Sequence, residues 1–390
     1  MAKSNICRKP IIVLLLLTTI ALFTAFPAVT RVRAQKLQYS IEDNTITVTG
    51  PEFDIVISKG GGINEYRMGG ARVLGETDIA FWGPGWSGFT ATAWGSAPTK
   101  EPDIEETDWG LKITTYSRLE AIAGNVNYDV TAVFRIYKTG AVIVSFELKC
   151  IKPSDFAGAA VFVSYACETF KNKYFAAFKG RSKVFEVEKL PPEHEPGSGF
   201  WTIKSGTFSV AYASGPGLNI ILAYLNPPEI DTELSDEREW GGDVYATKGW
   251  VQDLIPKKEG GTVNFTWILF PHTKGSSFNE RVLKILQMQA QTQSYILKVE
   301  EIARSASAVE NLKKSKELLP QVLRAICMAD LDKAESLVTQ AFNYAKTAFT
   351  IEFRRTTTFY IIIPMVVCVV LAGYAIRRWA RTWKAERTES

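Results

Sequence analysis

Histidine is almost missing from this chain: His194 and His272 are the only two in 390 residues. A multi-histidine metal centre is therefore excluded. Cysteine is also scarce, with Cys7, Cys150, Cys167, Cys327 and Cys368 and no CxxC or Cys/His cluster, so the sequence offers no zinc site. Cys7 and Cys368 fall in terminal apolar segments. At most one disulfide, Cys150 to Cys167, is expected in the β-rich part, and spacing alone leaves pairing and two buried thiols both open. Charge of one sign is lacking too. The net charge is +4, and the last fourteen residues carry five basic side chains against two acidic ones. No strongly basic face remains, which excludes nucleic acid as a partner. There is no GxSxG, P-loop, HExxH or strand-linked GxGxxG, so serine-hydrolase, nucleotide-dependent and zinc-protease chemistry is set aside and no cofactor is implied.

The chain does have two long apolar runs. Lys3, Arg8 and Lys9 precede an apolar core at 11–26, and Val32-Arg33-Ala34 ends in a small residue before Gln35. This is the layout of a secretory signal peptide spanning 1–34, with an uncleaved signal anchor as the alternative. Residues 359–376 form a second run, 18 residues without a charge. At 1.5 Å per residue it reaches about 27 Å, near the hydrocarbon thickness of a bilayer. Arg377, Arg378, Arg381, Lys384 and Arg387 follow it, and Trp379 and Trp383 suit the interfacial belt. The positive-inside bias predicts a single-pass plasma-membrane protein with a cytoplasmic C-terminus and an extracellular body.

Between the two runs, 46% hydrophobic and 12% aromatic residues indicate a folded body. Tyr128, Val130, Ala132, Phe134 and Ile136 alternate with polar residues, Lys138-Thr139-Gly140 turns the chain, and Val142, Val144, Phe146 and Leu148 resume the period of two. Similar runs at 45–49, 53–58, 159–165, 184–188, 208–213, 218–224 and 262–270 are separated by Gly and Pro. The expected fold is mainly β, a large antiparallel sandwich over 35–274. From Ser276 the period becomes helical. Ser277 and Glu280 read as a capping box. A second helix is expected within 307–328, with a possible break at Pro320. Ala334, Val338, Ala341, Ala345 and Ala348 form the apolar stripe of a third. The spacing predicts a helical hairpin or bundle stalk over 275–354, with coiled-coil oligomerisation as the alternative. A transmembrane helix at 357–376 and a tail at 377–390 complete the chain.

Phe53-Asp-Ile-Val-Ile-Ser-Lys-Gly-Gly-Gly-Ile-Asn-Glu-Tyr-Arg-Met-Gly-Gly-Ala-Arg-Val-Leu74 reads as strand, glycine turn, strand, glycine turn, strand. It resembles the opening hairpins of the galactose mutarotase-like supersandwich fold, and strand rhythm extends the resemblance to about residue 273. That superfamily includes sugar epimerases, polysaccharide lyase domains and accessory domains of glycoside hydrolases. The resemblance implies carbohydrate as the ligand class. Mutarotases use two histidines and a carboxylate. His194, in a Pro- and Glu-rich stretch that reads as an exposed loop, and His272 do not align with those positions, so catalysis is not carried over.

The candidate ligand-binding residues are Trp86, Trp94, Arg238, Glu239, Trp240 and Asp243. Trp86 and Trp94 lie in a glycine-rich stretch, where bends can expose an aromatic plate suited to the apolar face of a sugar ring. Arg238, Glu239 and Asp243 surround Trp240 with hydrogen-bonding groups for hydroxyls. The competing reading makes such tryptophans core, as expected for Trp109, Trp201 and Trp267. Hydrolysis would need two carboxylates about 5–10 Å apart. Glu239 and Asp243 could supply them, as could Asp103, Glu105, Glu106 or Asp108. Three functions follow: a membrane-anchored surface protein that binds carbohydrate or envelope glycan, a structural or partner-binding envelope component, and a glycan-processing enzyme. An Asn264-Phe265-Thr266 sequon accords with export.

Overall fold

The computed structural model describes residues 36–121 and 125–388, so the N-terminal apolar segment and its expected cleavage point lie outside the described residues. In chain order the first strands are β1 (Gln38–Glu42), β2 (Thr45–Thr49), β3 (Phe53–Ser58), β4 (Ile63–Met68), β5 (Ala71–Trp82) and β6 (Phe89–Thr92). Then come β7 (Ala97–Glu106), β8 (Gly110–Glu120), β9 (Asn127–Tyr137), β10 (Val142–Cys150), β11 (Gly158–Ala166), a short helix α1 (Cys167–Phe170), β12 (Tyr174–Lys179) and β13 (Ser182–Val187). The remaining strands are β14 (Thr202–Phe208), β15 (Val210–Ser214), β16 (Asn219–Asn226), β17 (Ile230–Asp236), β18 (Val244–Trp250) and β19 (Thr262–His272).

Two antiparallel sheets result. The ten-stranded sheet runs β1-β2-β3-β4-β5-β11-β18-β17-β14, with β6 continuing beside β5. The nine-stranded sheet runs β13-β12-β15-β16-β19-β10-β9-β8-β7. The glycine-turn hairpins at 53–74 are β3, β4 and the start of β5, as the sequence pattern predicts. Along β9 the alternation holds: Tyr128, Val130, Ala132, Phe134 and Ile136 are buried between the sheets. Gly140 turns the chain at φ 90°, and its carbonyl accepts from Tyr66 Oη at 2.6 Å across the sandwich. Cys150 and Cys167 are both free and buried. Trp267 is core, as expected, whereas Trp109 and Trp201 are only half-buried.

Three helices follow, α2 (Ser276–Glu300), α3 (Ala306–Cys327) and α4 (Leu331–Thr357). The capping box does not form. α2 starts two residues earlier, with Gly275 at φ 77° in the N-cap place of Ser277 and no side-chain cap. Ser305 caps α3 by accepting from the Ala308 amide, and α3 continues through Pro320 rather than breaking there. α4 buries the predicted stripe of Ala334, Val338, Ala341, Ala345 and Ala348.

The bundle starts on the sandwich itself. Tyr137, Ile143, Val210, Ile221, Ile268 and Phe270 point out of the nine-stranded sheet into a shared core with α2, α3 and the first half of α4. Beyond Val338 the helices pack only on one another, through Ile296, Val299, Ala308, Leu312, Ala345 and Ala348. About 30 Å of helix separates Val338 from Phe359. A π-helical turn, Thr358–Ile362, joins α4 to α5 (Ile363–Thr388). The helical run from Leu331 to Arg378 contains a stretch of mean hydropathy 2.5 with no buried residue, long and apolar enough to cross a membrane. The fold is mainly β, two antiparallel sheets followed by C-terminal helices.

Candidate functional site

Helices cover the outer face of the nine-stranded sheet. The outer face of the ten-stranded sheet carries aromatic and charged side chains instead. Alternation along β5 turns Ile79 and Phe81 into the sandwich core and leaves Glu76, Asp78, Ala80 and Trp82 on the opposite face. Cross-strand register then builds a row across this face, Asp78 to Phe162 on β11, to Lys248 on β18, to Glu233 on β17.

One end of the face is aromatic. Trp82 lies 4.8 Å from Phe89 and 5.0 Å from Trp250, ring centre to ring centre. Phe89 meets Phe162 edge-on at 5.7 Å, and Trp86 meets Trp250 edge-on at 5.5 Å. Trp86 is 57% exposed and Phe89 55%. Trp86 also sits at φ 61°, a left-handed conformation that costs a non-glycine residue about 1–2 kcal/mol. Its ring reaches the backbone at Gly158, where a Cβ would lie 2.7 Å from the ring atoms. Strain of this kind persists only where the surroundings enforce it, and it concentrates at functional positions.

Beside the aromatics lie charged groups. Lys248 Nζ pairs with Glu237 Oε1 at 2.7 Å, and Glu237 also accepts from Ser235 Oγ. Asp78 is fully buried. Its Oδ2 accepts the Trp94 amide at 2.7 Å, while Oδ1 has no partner. Burial pushes its carboxyl well above the usual range, the Glu76 charge adds to that, and the Trp94 amide opposes it. Burial also raises the Glu76 carboxyl, against a hydrogen bond with Thr92. These are poor sites for two negative charges.

The second cluster sits at the opposite end of the ten-stranded sheet, on the 3-10 turn Glu237–Trp240 between β17 and β18. Arg238 is spent internally. It grips Asp236 through Nε (2.8 Å) and Nη2 (2.6 Å), and it donates to the Pro191 and Pro192 carbonyls at 2.9 Å each. Glu239 meets His194 Nε2 at 2.9 Å and accepts the amides of Gly197 (3.0 Å) and Gly199 (3.1 Å). The loop around His194 is exposed, as the sequence reads, but the His194 side chain turns inward from it and is 7% exposed, with Nδ1 3.5 Å from Asp236. The anchored loop presents Phe200, 84% exposed, and Trp201, whose ring packs on the 66% exposed Trp240 at 5.6 Å. Asp243 pairs with Arg72.

The six residues singled out from sequence therefore fall into two groups. Trp86 and Trp94 flank the β5–β6 end, and Trp94, 41% exposed, lies against Asp78 and Gly62. Arg238, Glu239, Trp240 and Asp243 occupy the other end. Only Trp240 presents an exposed ring there, because Arg238 and Glu239 fasten a loop. Hydrogen bonds from His194 and the Gly199 and Gly197 amides hold Glu239 below the usual carboxylate range, the reverse of what a general acid requires. Asp103 and Glu105 lie on the edge strand β7 and pair with Lys100 and Lys112. Sequence reasoning missed Trp82, Phe89, Glu76, Asp78 and Lys248. The available signal was the period of two in Glu76-x-Asp78-x-Ala80-x-Trp82. Among the described residues no group of three or more His, Cys, Asp or Glu side chains could hold a metal.

No protein-family model and no curated protein sequence matches the chain. Among solved structures it is similar to galactose 1-epimerase from Lactobacillus acidophilus NCFM, with TM-score 0.35 and 9% identity over 62% of this chain and 99% of that one. An aldose epimerase homologue from C. elegans gives TM-score 0.35 and 7% identity over 60% of this chain and 99% of that one. An alpha-mannosidase from Enterococcus faecalis V583 gives TM-score 0.41 and 9% identity over 65% of this chain but 32% of that one. These are distant likenesses, and no chemistry passes from them to this chain.

Proposed function

We propose that the chain is a membrane-anchored surface protein that binds carbohydrate on the outer face of its ten-stranded sheet. The observation that carries this reading is the exposed pair Trp86 and Phe89, held over Trp82, Trp250 and Phe162 beside a row of polar groups. Flat aromatic plates bury the C–H face of a sugar, and the half-buried carboxyls of Glu76 and Glu233 on the same face are the groups left to bond its hydroxyls. The basic residues after the apolar helix put the C-terminus in the cytoplasm and the sandwich outside, behind a signal peptide at 1–34. The sandwich (35–274), the helices (275–354), the membrane helix (357–376) and the tail (377–390) are the working divisions of the chain.

A glycan-panel binding measurement on the full chain in nanodiscs tests the reading. Trp86→Ala and Phe89→Ala are each expected to weaken binding about tenfold, near 1.4 kcal/mol, while the thermal midpoint stays in place. Absence of binding to every glycan, or binding indifferent to both substitutions, would overturn it.

The envelope-partner reading has one observation in its favour. An open groove of about 360 Å³ on α3 is lined by Val309, Leu312, Lys313, Lys316 and Glu317, on the part of the bundle that leaves the sandwich.

A further inference from the structure

We infer that the membrane-proximal end of the helical bundle rests in the headgroup layer of the leaflet on the sandwich side, where Arg304 and Arg354 bind lipid phosphates. The inference rests on the membrane-anchored reading above and adds a second contact with the bilayer beside the apolar helix.

Height is the first support. The apolar run begins at Phe359, and Glu352 lies seven residues before it on α4. At 1.5 Å per residue that is about 10 Å of helix. Glu352 Oε1 accepts the amides of Arg304 and Ser305, so the turn between α2 and α3 is held at the same level. Arg354 stands closer, about 7.5 Å from the start of the run. The polar layer of a bilayer is roughly 5–8 Å deep on each side. Long basic side chains reach charged headgroups from such heights while their stems stay beside the helix. Both guanidinium groups thus come within reach of phosphate.

The second support is that these two cations are unspent. Among the described residues neither pairs with a carboxylate: Arg304 Nη1 donates to the Ala303 carbonyl at 2.9 Å, and both side chains are exposed. The neighbouring acids are largely taken. Glu352 is bonded to the turn and to Arg355, and Glu300 pairs with Lys316, which leaves the exposed Glu301. A free guanidinium matches a phosphate group with parallel N–H donors.

The third support is their arrangement round the stalk. Each residue turns an α-helix by about 100°, so Arg354 stands about 200° round α4 from Glu352 and from the turn that Glu352 holds. Arg304 and Arg354 therefore flank α4 on opposite sides. Phe353, 58% exposed and stacked on Phe349 at 5.9 Å, stands between them. A protein partner lies against one side of a stalk, whereas a leaflet surrounds it. Cations on both sides with an exposed ring between them match a collar at the boundary of headgroups and acyl chains.

Fluorescence quenching on the full chain, in nanodiscs holding one copy each, tests the inference. A bimane is attached through Ser307→Cys, exposed in the first turn of α3, in a chain carrying Cys7→Ala and Cys368→Ala; Cys150, Cys167 and Cys327 are buried. The bilayer is phosphatidylcholine and phosphatidylglycerol, with a nitroxide on the headgroup of part of the lipid. Arg304→Gln combined with Arg354→Gln should lower the ratio of quenched to unquenched label about 30-fold, the effect of two cations at about 1 kcal/mol each beside an anionic surface. Arg304→Lys with Arg354→Lys should keep most of the quenching, and salt at about 1 M, where the screening length is about 3 Å, should remove it. Both arginines are exposed, so these substitutions leave the fold intact. Equal quenching in the wild type and the Gln variant would overturn the inference alone. So would release of the label by inorganic phosphate, which would assign the cations to a free anion, or a Gln effect that needs two copies per disc, which would assign the surface to a second chain. A chain that does not float with the bilayer would overturn both this inference and the membrane-anchored reading.

Discussion

Replacing Glu352 by Gln should loosen the membrane-proximal end of the bundle while leaving the sandwich untouched. The carboxylate is fully buried on α4, one helical turn and more before the apolar run. Oε1 accepts the backbone amides of Arg304 (3.0 Å) and Ser305 (2.7 Å), the turn between α2 and α3, and Oε2 accepts from Arg355 Nε at 2.9 Å. Burial by itself raises this carboxyl. The hydrogen bonds from Ser305, Arg304 and Arg355 outweigh it and hold the group at about 2. Hydrogen bonds to a charged acceptor contribute about 1.5–3 kcal/mol. Gln keeps one neutral oxygen for the two amides and turns an NH2 toward the Arg355 guanidinium, where both groups are donors. Arg355 is partly exposed and can swing into water, which limits the damage. The expected loss is therefore about 2–3 kcal/mol.

Amide hydrogen exchange in nanodiscs reads this loss directly. Protection at the turn after α2 and the first turn of α3 should fall by about 30- to 150-fold, while β9 and β10 keep theirs. The pH dependence has a fixed sign. The folded value lies below the ordinary 4.5, so the stabilisation is complete above that pH and fades as pH falls toward 2. The difference between wild type and variant should thus be constant across neutral pH. An unchanged turn, or equal loosening of the sandwich strands, would refute the reasoning.

Two further perturbations follow. Phe278, nearly buried on α2, packs on Phe270 at 5.3 Å and His272 at 4.6 Å where the bundle meets the sheet; Phe278→Ala should cost about 3–5 kcal/mol in chemical unfolding, and a loss below 1 kcal/mol (the size of a surface substitution) would mean the helices do not depend on that contact. Asp78 has a raised carboxyl, so its favourable protonated state is present below the unfolded value and stability is lost as pH rises through the folded one; Asp78→Asn, which carries no charge at any pH, should flatten that slope, and identical pH profiles would show that Asp78 is not the group responsible.

The strands were legible because each face of a strand has one fate. β9 alternates, and every second residue is core. The α4 stripe was legible for the same reason at helical period, since Ala334, Val338, Ala341, Ala345 and Ala348 face one way. The docking of the bundle also leaves a trace in the sequence. β16 and β19 are apolar on both faces, as in Ile220-Ile221-Leu222 and Trp267-Ile268-Leu269-Phe270. A strand buried on both sides must have something over each face, and here the second cover is α2, α3 and α4. The site was less legible, because its members meet only through long-range register. Nothing local tells that Trp86 rests on Gly158, or that Glu239 reaches back to His194 and turns an apparent loop histidine into a nearly buried one.

The two sheets treat their outer faces differently, and that difference bears on function. The nine-stranded sheet hides its outward apolar residues beneath helices. The ten-stranded sheet has outward apolar residues as well, Ala80, Phe162 and Ala246 among them, and these are buried with no helix of the described chain over them. Their cover is made of side chains: Trp82 and Phe89 lie across them, and Trp86 adds its ring at the edge through Trp250. A cover built only for stability would keep those large rings buried. Instead Trp86 and Phe89 are more than half exposed, and Trp86 holds a strained backbone to stay where it is. Exposed aromatic surface of this kind loses solvation free energy in the unbound state and regains it when a ligand covers the rings. The same residues that close the floor of the face are thus the ones on which the proposed carbohydrate would lie.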